Sequence, residues 1–408
     1  MRVLIGTIEK ANMIHLHANA FRAIGHEVIT VATPHPFYDA TYTHSLHSPP
    51  YLFHPVKSRN FWPLESARWR LAERREKQLR LAMYMKYKDQ IDLFLVMGDG
   101  FFNNETKDFE YLRKRGAKVV QLFYGGDARC WNAFHQEYKV DISTMTEQPI
   151  DNSNFNSILT RLRKAELFSN QIYSLPDQMG LAIRPYSKIT VPFEFEKYQF
   201  NITNRAVPKI VHIESRQPYK GEEFIYSAIE KLKMEGLPFE FRSYKNLAHS
   251  EVRHVLEDAD ILVDEVMIFG PGSLGNEAIA CGCALATKMQ PDHIIARNVC
   301  NLSEHNILEP LRRFILNRET RVRDLKICRE LLEQHNSPRE VAIQIVDALK
   351  CSSNRKVTDY SPSFFLQHYE LPIGHVVSQR NKNLTRQVLN LYPISTKEMS
   401  SLEKRGLI

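Results

Sequence analysis

The sequence predicts an α/β protein of two domains, each a parallel sheet covered by helices, facing one another across a cleft. Three observations carry this expectation. Short apolar runs alternate with helical patterns along most of the chain, the alternation breaks at 194–208 and then restarts, and 408 residues is more than one domain of ordinary size requires. Helices between short buried strands imply cover on both faces of each sheet, and ligands of such sheets bind beyond the carboxyl ends of the strands.

The apolar run at 2–6 reads as the first strand. Residues 12–25 follow as a helix with Ile14, Phe21 and Ile24 on its apolar side and Gly25 as its C-cap, and 27–32 is the second strand. Strands at 91–97 and 118–124 flank a helix around 106–115, and further short strands are expected near 164–173 and 188–192. Together 1–193 form an N-terminal Rossmann-like domain. The stretch 194–208, aromatic and polar between Pro192 and Pro208, reads as an interdomain linker. Strands at 210–213, 239–243, 261–266 and 284–287 then alternate with helices at 222–235, 250–259 and 276–281. Helical stretches at 304–317 and 320–350 complete a second Rossmann-like domain, 209–350, and leave 351–408 as an extension without an assigned role.

Composition is that of an ordinary globular chain, 43% hydrophobic and 25% charged, and a net charge of +7 suits a phosphorylated ligand, an anionic membrane surface or nucleic acid without choosing among them. Six irregularly spaced cysteines do not form a disulfide framework, and Cys281 and Cys283 read as small buried residues rather than metal ligands. The start of the chain is too short in apolar residues for a signal peptide, and no run approaches the ~20 apolar residues of a membrane span, so the protein is expected to be cytoplasmic. The segment 57–88 holds ten Lys or Arg against three Glu, a net +7 that equals the excess of the whole chain. Trp69, Ala72, Leu79 and Met83 recur at helical spacing beneath that charge. This is either a solvated helix packed on the sheet or a surface for anionic lipid or a polyanionic acceptor, which would hold the protein peripherally at the inner face of a membrane. No nucleic-acid recognition module accompanies the charges, and no nucleic acid is expected as a partner.

Chemistry concentrates in 209–288. The segment KIVHIESRQPYKG places Arg216 and Lys220 after a strand, where a forked guanidinium and a point-charge ammonium suit a diphosphate or are simply solvated. The segment DADILVDEVMIFGPGSLGNEAIACGCALATK reads as strand, glycine loop, helix and strand. Backbone N–H groups where Gly272, Ser273, Leu274 and Gly275 lead into that helix point at an anion, with Ser273 or Asn276 as the cap. Glu277, in the first turn, is placed to accept hydrogen bonds from a ribose or to serve the helix end electrostatically. On the rim of the first domain, YGGDARCW sets Asp127 and Arg129 just after a strand, and Asp127 suits a general base, a ligand for an acceptor hydroxyl or a turn residue. His15 and His17 lie two apart on the first helix, so at most one faces the cleft. Asp99 is a further strand-end carboxylate or turn residue.

GHEV at 25–28, YKG at 219–221 and GSLGNEAIACG at 272–282 resemble the retaining nucleotide-sugar glycosyltransferases of the GT-B architecture (the glycosyl transferases group 1 type). The likeness runs over about 1–350 and is greatest over 209–288. It implies an acceptor-side first domain, with Asp127, His15 and His17 as catalytic candidates and Asp99 and Arg129 lining the acceptor side, and a donor-binding second domain. By that resemblance Arg216, Lys220 and the backbone of Gly272, Ser273, Leu274 and Gly275 hold the donor diphosphate, and Glu277 contacts the ribose. The implied activity is that of a hexosyltransferase-like enzyme moving a sugar from a nucleotide-diphosphate-sugar to a glycan, lipid-linked or protein acceptor. No obligatory metal or other cofactor is implied, because two cations already face the leaving group, and Lys220→Ala is expected to cost turnover far more than stability. Three departures keep two other readings open, a nucleotide-sugar epimerase of the same architecture and a non-catalytic nucleotide-sugar or polyanion-binding protein. Phe269 stands eight residues before Glu277, where the family has a sugar-contacting Glu; the Arg-to-Lys spacing is one residue shorter; and the first loop reads TIEKAN instead of glycine-rich.

Overall fold

A computed structural model describes residues 1–9, 11–33, 41–46, 62–98, 107–141, 155–214, 220–350, 360 and 362–408. Its contacts divide the chain into one unit of Met1–Glu137, Asn152–Thr190 and Val341–Ile408, and a second of Tyr138–Asp151 and Val191–Glu340.

The first unit is built on β1 (Arg2–Ile8), α1 (Met13–Ala23), β2 (Glu27–Thr33), β3 (His44–Ser45), α2 (Trp62–Tyr87), β4 (Leu93–Met97), α3 (Lys107–Arg115), β5 (Lys118–Phe123), α4 (Trp131–Tyr138), α5 (Phe155–Phe168), β6 (Gln171–Ser174) and β7 (Ser187–Lys188). Its sheet is entirely parallel in the order β3-β2-β1-β4-β5-β6-β7. In register, Leu4 lies between Ile29 and Phe94, and all three are buried, as the continuous apolar runs require of strands covered on both faces. The strand expected at 164–173 starts only at Gln171. Ile158, Leu159, Leu162 and Ala165 recur at three- and four-residue steps into the core, and that period extends α5 to Phe168.

The second unit contains β8 (Lys209–Glu214), α6 (Glu222–Met234), β9 (Glu240–Lys245), α7 (His249–Glu257), β10 (Ile261–Val263), α8 (Ser273–Cys281), β11 (Ala284–Thr287), β12 (Cys300–Asn301), α9 (Leu308–Leu316) and α10 (Arg318–Asn336). These strands are also all parallel, ordered β12-β11-β10-β8-β9. The long helical stretch expected over 320–350 is two helices. It breaks at Ser337, and Pro338, which suits a first helical position but not an interior one, begins α11 (Pro338–Lys350). Residues 194–208, the expected linker, pack against the second unit. Phe193 and Phe195 are buried beside Ile279 and Cys281, Tyr198, Phe200 and Ile202 pack against the same core, and the Arg329 guanidinium lies 4.9 Å and 5.4 Å from the rings of Phe195 and Phe200. An aromatic stretch of this kind gains more by covering α8 and α10 than by standing in water. Cys281 and Cys283 belong to that core, where burial pushes the Cys281 thiol up to about 12 and raises Cys283 as well.

The extension also has a structural role. After α11 the chain forms α12 (Ser363–Gln367), α13 (Gln379–Leu391) and α14 (Thr396–Lys404) in the first unit. Phe365, Tyr369, Leu384, Val388 and Leu402 share one core with Leu159, Leu162 and Ile172. Beneath them the fully buried Arg163 donates from Nη1 to Glu166 at 2.5 Å, from Nε to the Thr385 hydroxyl at 3.0 Å and from Nη2 to the Leu181 carbonyl at 2.9 Å, so α5 is tied to α13. Among the described residues no helix is long and apolar enough to cross a membrane.

Candidate active site

In the second unit, β8, β10 and β11 are neighbours, and their carboxyl ends bring together the turn before α6, the acidic pair Asp264 and Glu265, and the start of α8. Gly221 caps α6 at φ +84°, and a Cβ there would come within 2.5 Å of Val266 Cγ2, so only glycine lets the turn pass so close. The Val266 N–H donates to the Lys220 carbonyl at 2.9 Å and fixes the turn against the segment that follows β10.

That closeness decides the state of Lys220. The residue is 8% exposed, and its ammonium donates to Asp264 Oδ1 at 2.5 Å and to the Ile213 carbonyl at 3.1 Å. Burial works against the charge, but Asp264 and then Glu265 outweigh it and hold the Lys220 pKa above the usual lysine value. Asp264 is 1% exposed, and among the described residues its second carboxylate oxygen has no hydrogen-bond partner. The cation expected to stand open to a diphosphate is therefore also half of a buried ion pair. Removing it would leave Asp264 uncompensated, so Lys220→Ala is expected to cost stability as well as turnover. Arg216 and Asp99 lie outside the described residues.

Helix α8 begins at Ser273, three residues earlier than expected. Gly272 is the capping residue, and neither Ser273 nor Asn276 caps through its side chain. The N–H groups of Ser273, Leu274 and Gly275 thus form the first turn, which has no acceptors within the helix. Neither Gly272 nor Gly275 takes positive φ. At Gly275 a Cβ would meet Pro271 Cβ at 3.0 Å and Leu285 Cδ2 at 3.1 Å, so this glycine lets α8 lie close on β11 rather than shaping a loop around an anion. With the helix starting earlier, Glu277 moves into the second turn. It is 8% exposed and accepts a hydrogen bond at 3.0 Å from Nε2 of His249, the first residue of α7. Phe269 lies under the Lys288 ammonium, 5.4 Å from the ring centre, and Lys288 is paired with Glu304 at 2.9 Å.

The hydrogen bond that His249 donates to Glu277 raises the His249 pKa against the opposing effect of partial burial. A raised folded-state value means that the stabilisation is complete below the unfolded histidine value of about 6.5 and fades as pH rises through the folded value. The stability difference between the native chain and His249→Ala is therefore expected to be largest in mildly acidic buffer and to shrink above neutrality. Urea midpoints across that range that stay parallel would contradict the pairing.

In the first unit, β1, β4 and β5 are adjacent and parallel, so their carboxyl ends share a rim. His17 is completely buried, its Nε2 lies 2.5 Å from the Tyr124 hydroxyl, and burial pushes its pKa down to about 3. An imidazole that stays neutral and sealed from solvent cannot collect a proton from an acceptor, so His17 is a core residue that holds Tyr124. His15 is half-buried on another face of α1 and accepts from Asn19 Nδ2 at 3.0 Å. Asp127 is buried at the start of the β5–α4 turn, and its backbone carbonyl accepts from Arg161. Arg129 pairs with Asp177 at 2.8 Å and stacks 4.9 Å from Trp131.

Three residues in the two rims had escaped the sequence reading. Glu9, 6% exposed, accepts from the Ile14 N–H at 3.2 Å and the Tyr42 hydroxyl at 2.8 Å, and the signal for it is an acid just ahead of a helix start. Asp264 is legible as an acid ending an apolar strand. His249 has no local signal, because its partner is 28 residues away. Among the described residues no cluster of three or more His, Cys, Asp or Glu is arranged to hold a metal.

No family model matches the sequence, and no curated protein matches it either. Solved structures do match. Sucrose-phosphate synthase from Thermosynechococcus elongatus superposes with a TM-score of 0.55 at 13% identity, over 86% of this chain and 98% of that one. An alpha-glucosyltransferase in complex with UDP and a mismatched DNA aligns with a TM-score of 0.50 at 11% identity, and trehalose-6-phosphate from E. coli bound with UDP-2-fluoro glucose does so with 0.50 at 9%, each over 86% of this chain and 99% of the other. The chain has the GT-B fold of glycosyltransferases, two Rossmann-like units spanning nearly the whole length of these neighbours.

Proposed function

We propose that the protein is a glycosyltransferase that takes a sugar from a nucleotide-diphosphate-sugar, with the donor held by the second unit. The observation that carries this reading is the start of α8. Three N–H groups open at the helix N-terminus, Glu277 sits a turn further in, and Lys220 is anchored through Asp264 on the neighbouring strand end. A helix N-terminus favours phosphate, and a carboxylate one turn away suits a ribose diol. The fold adds support, because two structures that share it are described with UDP or a UDP-sugar.

In the reaction, the bond between the anomeric carbon and the β-phosphate oxygen breaks while the acceptor hydroxyl oxygen bonds to that carbon, and the hydroxyl proton leaves toward a base or the departing phosphate. Charge that develops on the nucleotide diphosphate would be met by the α8 N–H groups, Lys220 and Arg216. With these cations in place the reading assigns no metal or cofactor. The acceptor would be a glycan, lipid-linked or protein hydroxyl, and Asp127 on the first unit remains its proposed base.

A thermal-shift panel of UDP-, GDP-, ADP- and CMP-sugars tests donor binding. One sugar nucleotide is expected to raise Tm selectively, and Glu277→Ala to remove most of that shift while leaving the unliganded Tm within a few degrees. No shift with any donor would overturn the proposal. Donor consumed without a glycosylated product would favour the epimerase, and binding without consumption the non-catalytic protein.

A further inference from the structure

The basic segment of the first unit is not used by the sugar chemistry, and its geometry separates two faces of α2. One face packs: Tyr84 and Tyr87 are buried in the core with Ile29, Phe94 and Val96, Leu79 and Met83 press against it, and Glu76 is buried beside Arg80. The other face is open. Leu71, Leu81 and Met85 are 68%, 43% and 57% exposed, and Arg74, Arg75, Gln78 and Ala82 are exposed between them. The steps 71, 74, 78, 81 and 85, with 75 and 82 alongside, are those of one helical stripe. Exposed Arg70 and Lys77 border the stripe on one side and Lys86 on the other. A single exposed leucine is ordinary, but three large apolar side chains along one stripe, interspersed with and bordered by cations, present apolar surface and positive charge together.

We propose that this face of α2 docks the protein on an anionic lipid surface, with Leu71, Leu81 and Met85 entering the acyl boundary and Arg74, Arg75 and Lys86 meeting the phosphates. Charge complementarity selects an acidic partner, and the apolar stripe selects lipid over nucleic acid, since a phosphodiester backbone in water has nothing to place against Leu71 and Met85. The opposite face already holds the sheet, so docking needs no unfolding of α2. The proposal is independent of the donor site.

The experiment is co-sedimentation of the full chain with vesicles of phosphatidylcholine alone and of phosphatidylcholine mixed with phosphatidylglycerol. Binding is expected only to the mixed vesicles. Arg74→Ala with Arg75→Ala should weaken it about thirtyfold, from roughly 1 kcal/mol per basic residue near such a surface. Leu71→Gln with Met85→Gln should weaken it about tenfold or more, because apolar side chains no longer leave water. All four positions are exposed, and an unchanged urea midpoint shows that each variant is folded. Absence of binding to the acidic vesicles, or equal binding to both kinds, overturns the proposal. Loss in the arginine variant with full retention in the Leu71 and Met85 variant, together with equal binding to heparin, also overturns it in favour of a simple polyanion surface.

Discussion

Lys220→Ala is expected to destabilise the second unit by about 3–5 kcal/mol, the usual cost of removing one partner of a buried ion pair. The penalty comes from Asp264. Its carboxylate is 1% exposed, accepts from Lys220 at 2.5 Å, and has a second oxygen without a partner among the described residues. Without the ammonium, a charge stays in a medium that solvates it poorly. Against a total stability of about 5–15 kcal/mol, such a loss populates the unfolded chain measurably at moderate temperature. The double substitution Lys220→Ala with Asp264→Ala should be more stable than Lys220→Ala alone, because it removes the stranded charge as well. Urea midpoints for the two single variants and the double variant decide. An unchanged midpoint in Lys220→Ala, or additive losses in the double variant, would show that the pair is not coupled. Turnover of Lys220→Ala then has to be measured below the temperature at which it begins to unfold, or a folding defect will pass for a catalytic one.

The second large effect is expected at Arg163, in the first unit. Arg163 and Glu166 are both completely buried and 2.5 Å apart. Each nitrogen and oxygen of the pair has a partner: Arg163 also reaches Thr385 and Leu181, and Glu166 accepts from the Ile183 N–H at 2.8 Å and the Tyr186 hydroxyl at 3.1 Å. Arg163→Met should lower stability by about 3–5 kcal/mol by leaving Glu166 charged and unpaired. It should also loosen α13, which loses its link through Thr385. The reading is a drop in urea midpoint at constant m, accompanied by faster hydrogen exchange in 379–391 than elsewhere in the unit. Replacing both partners, Arg163→Met with Glu166→Leu, should recover much of the loss, since a well-packed apolar pair of similar volume often matches a buried ion pair. A single variant with native stability and native exchange in α13 would refute the network as a tie between the extension and the sheet.

These two sites mark where reading along the chain was sufficient and where it was not. The strands at 2–6, 27–32, 118–124 and 284–287 were legible because a strand buried on both faces must be a continuous apolar run, and composition alone exposes that. The start of α8 was misplaced by three residues because glycines in GPGSLG read as a loop. The structure uses Gly275 to bring the helix within van der Waals contact of Leu285, a demand made by a strand that follows it in sequence. Likewise, the aromatic residues between two prolines give no local sign of the core they cover, which distant helices supply.

The sequence by itself determined that the chain is an α/β protein of two Rossmann-like halves and that a strongly basic helix belongs to the first half. These follow from local periodicity and from residue types at strand ends, which need no knowledge of distant partners. Only the tertiary structure decided what the charged and titratable residues do. Lys220 meets Asp264 across 44 residues, Arg163 meets Thr385 across 222, and His17 is sealed against Tyr124 across 107. Whether a lysine is an open ligand or a buried ion pair, and whether a histidine is a base or a core residue, depends on desolvation and on the nearest opposite charge. Both are set by which strand ends and helix faces the fold places side by side.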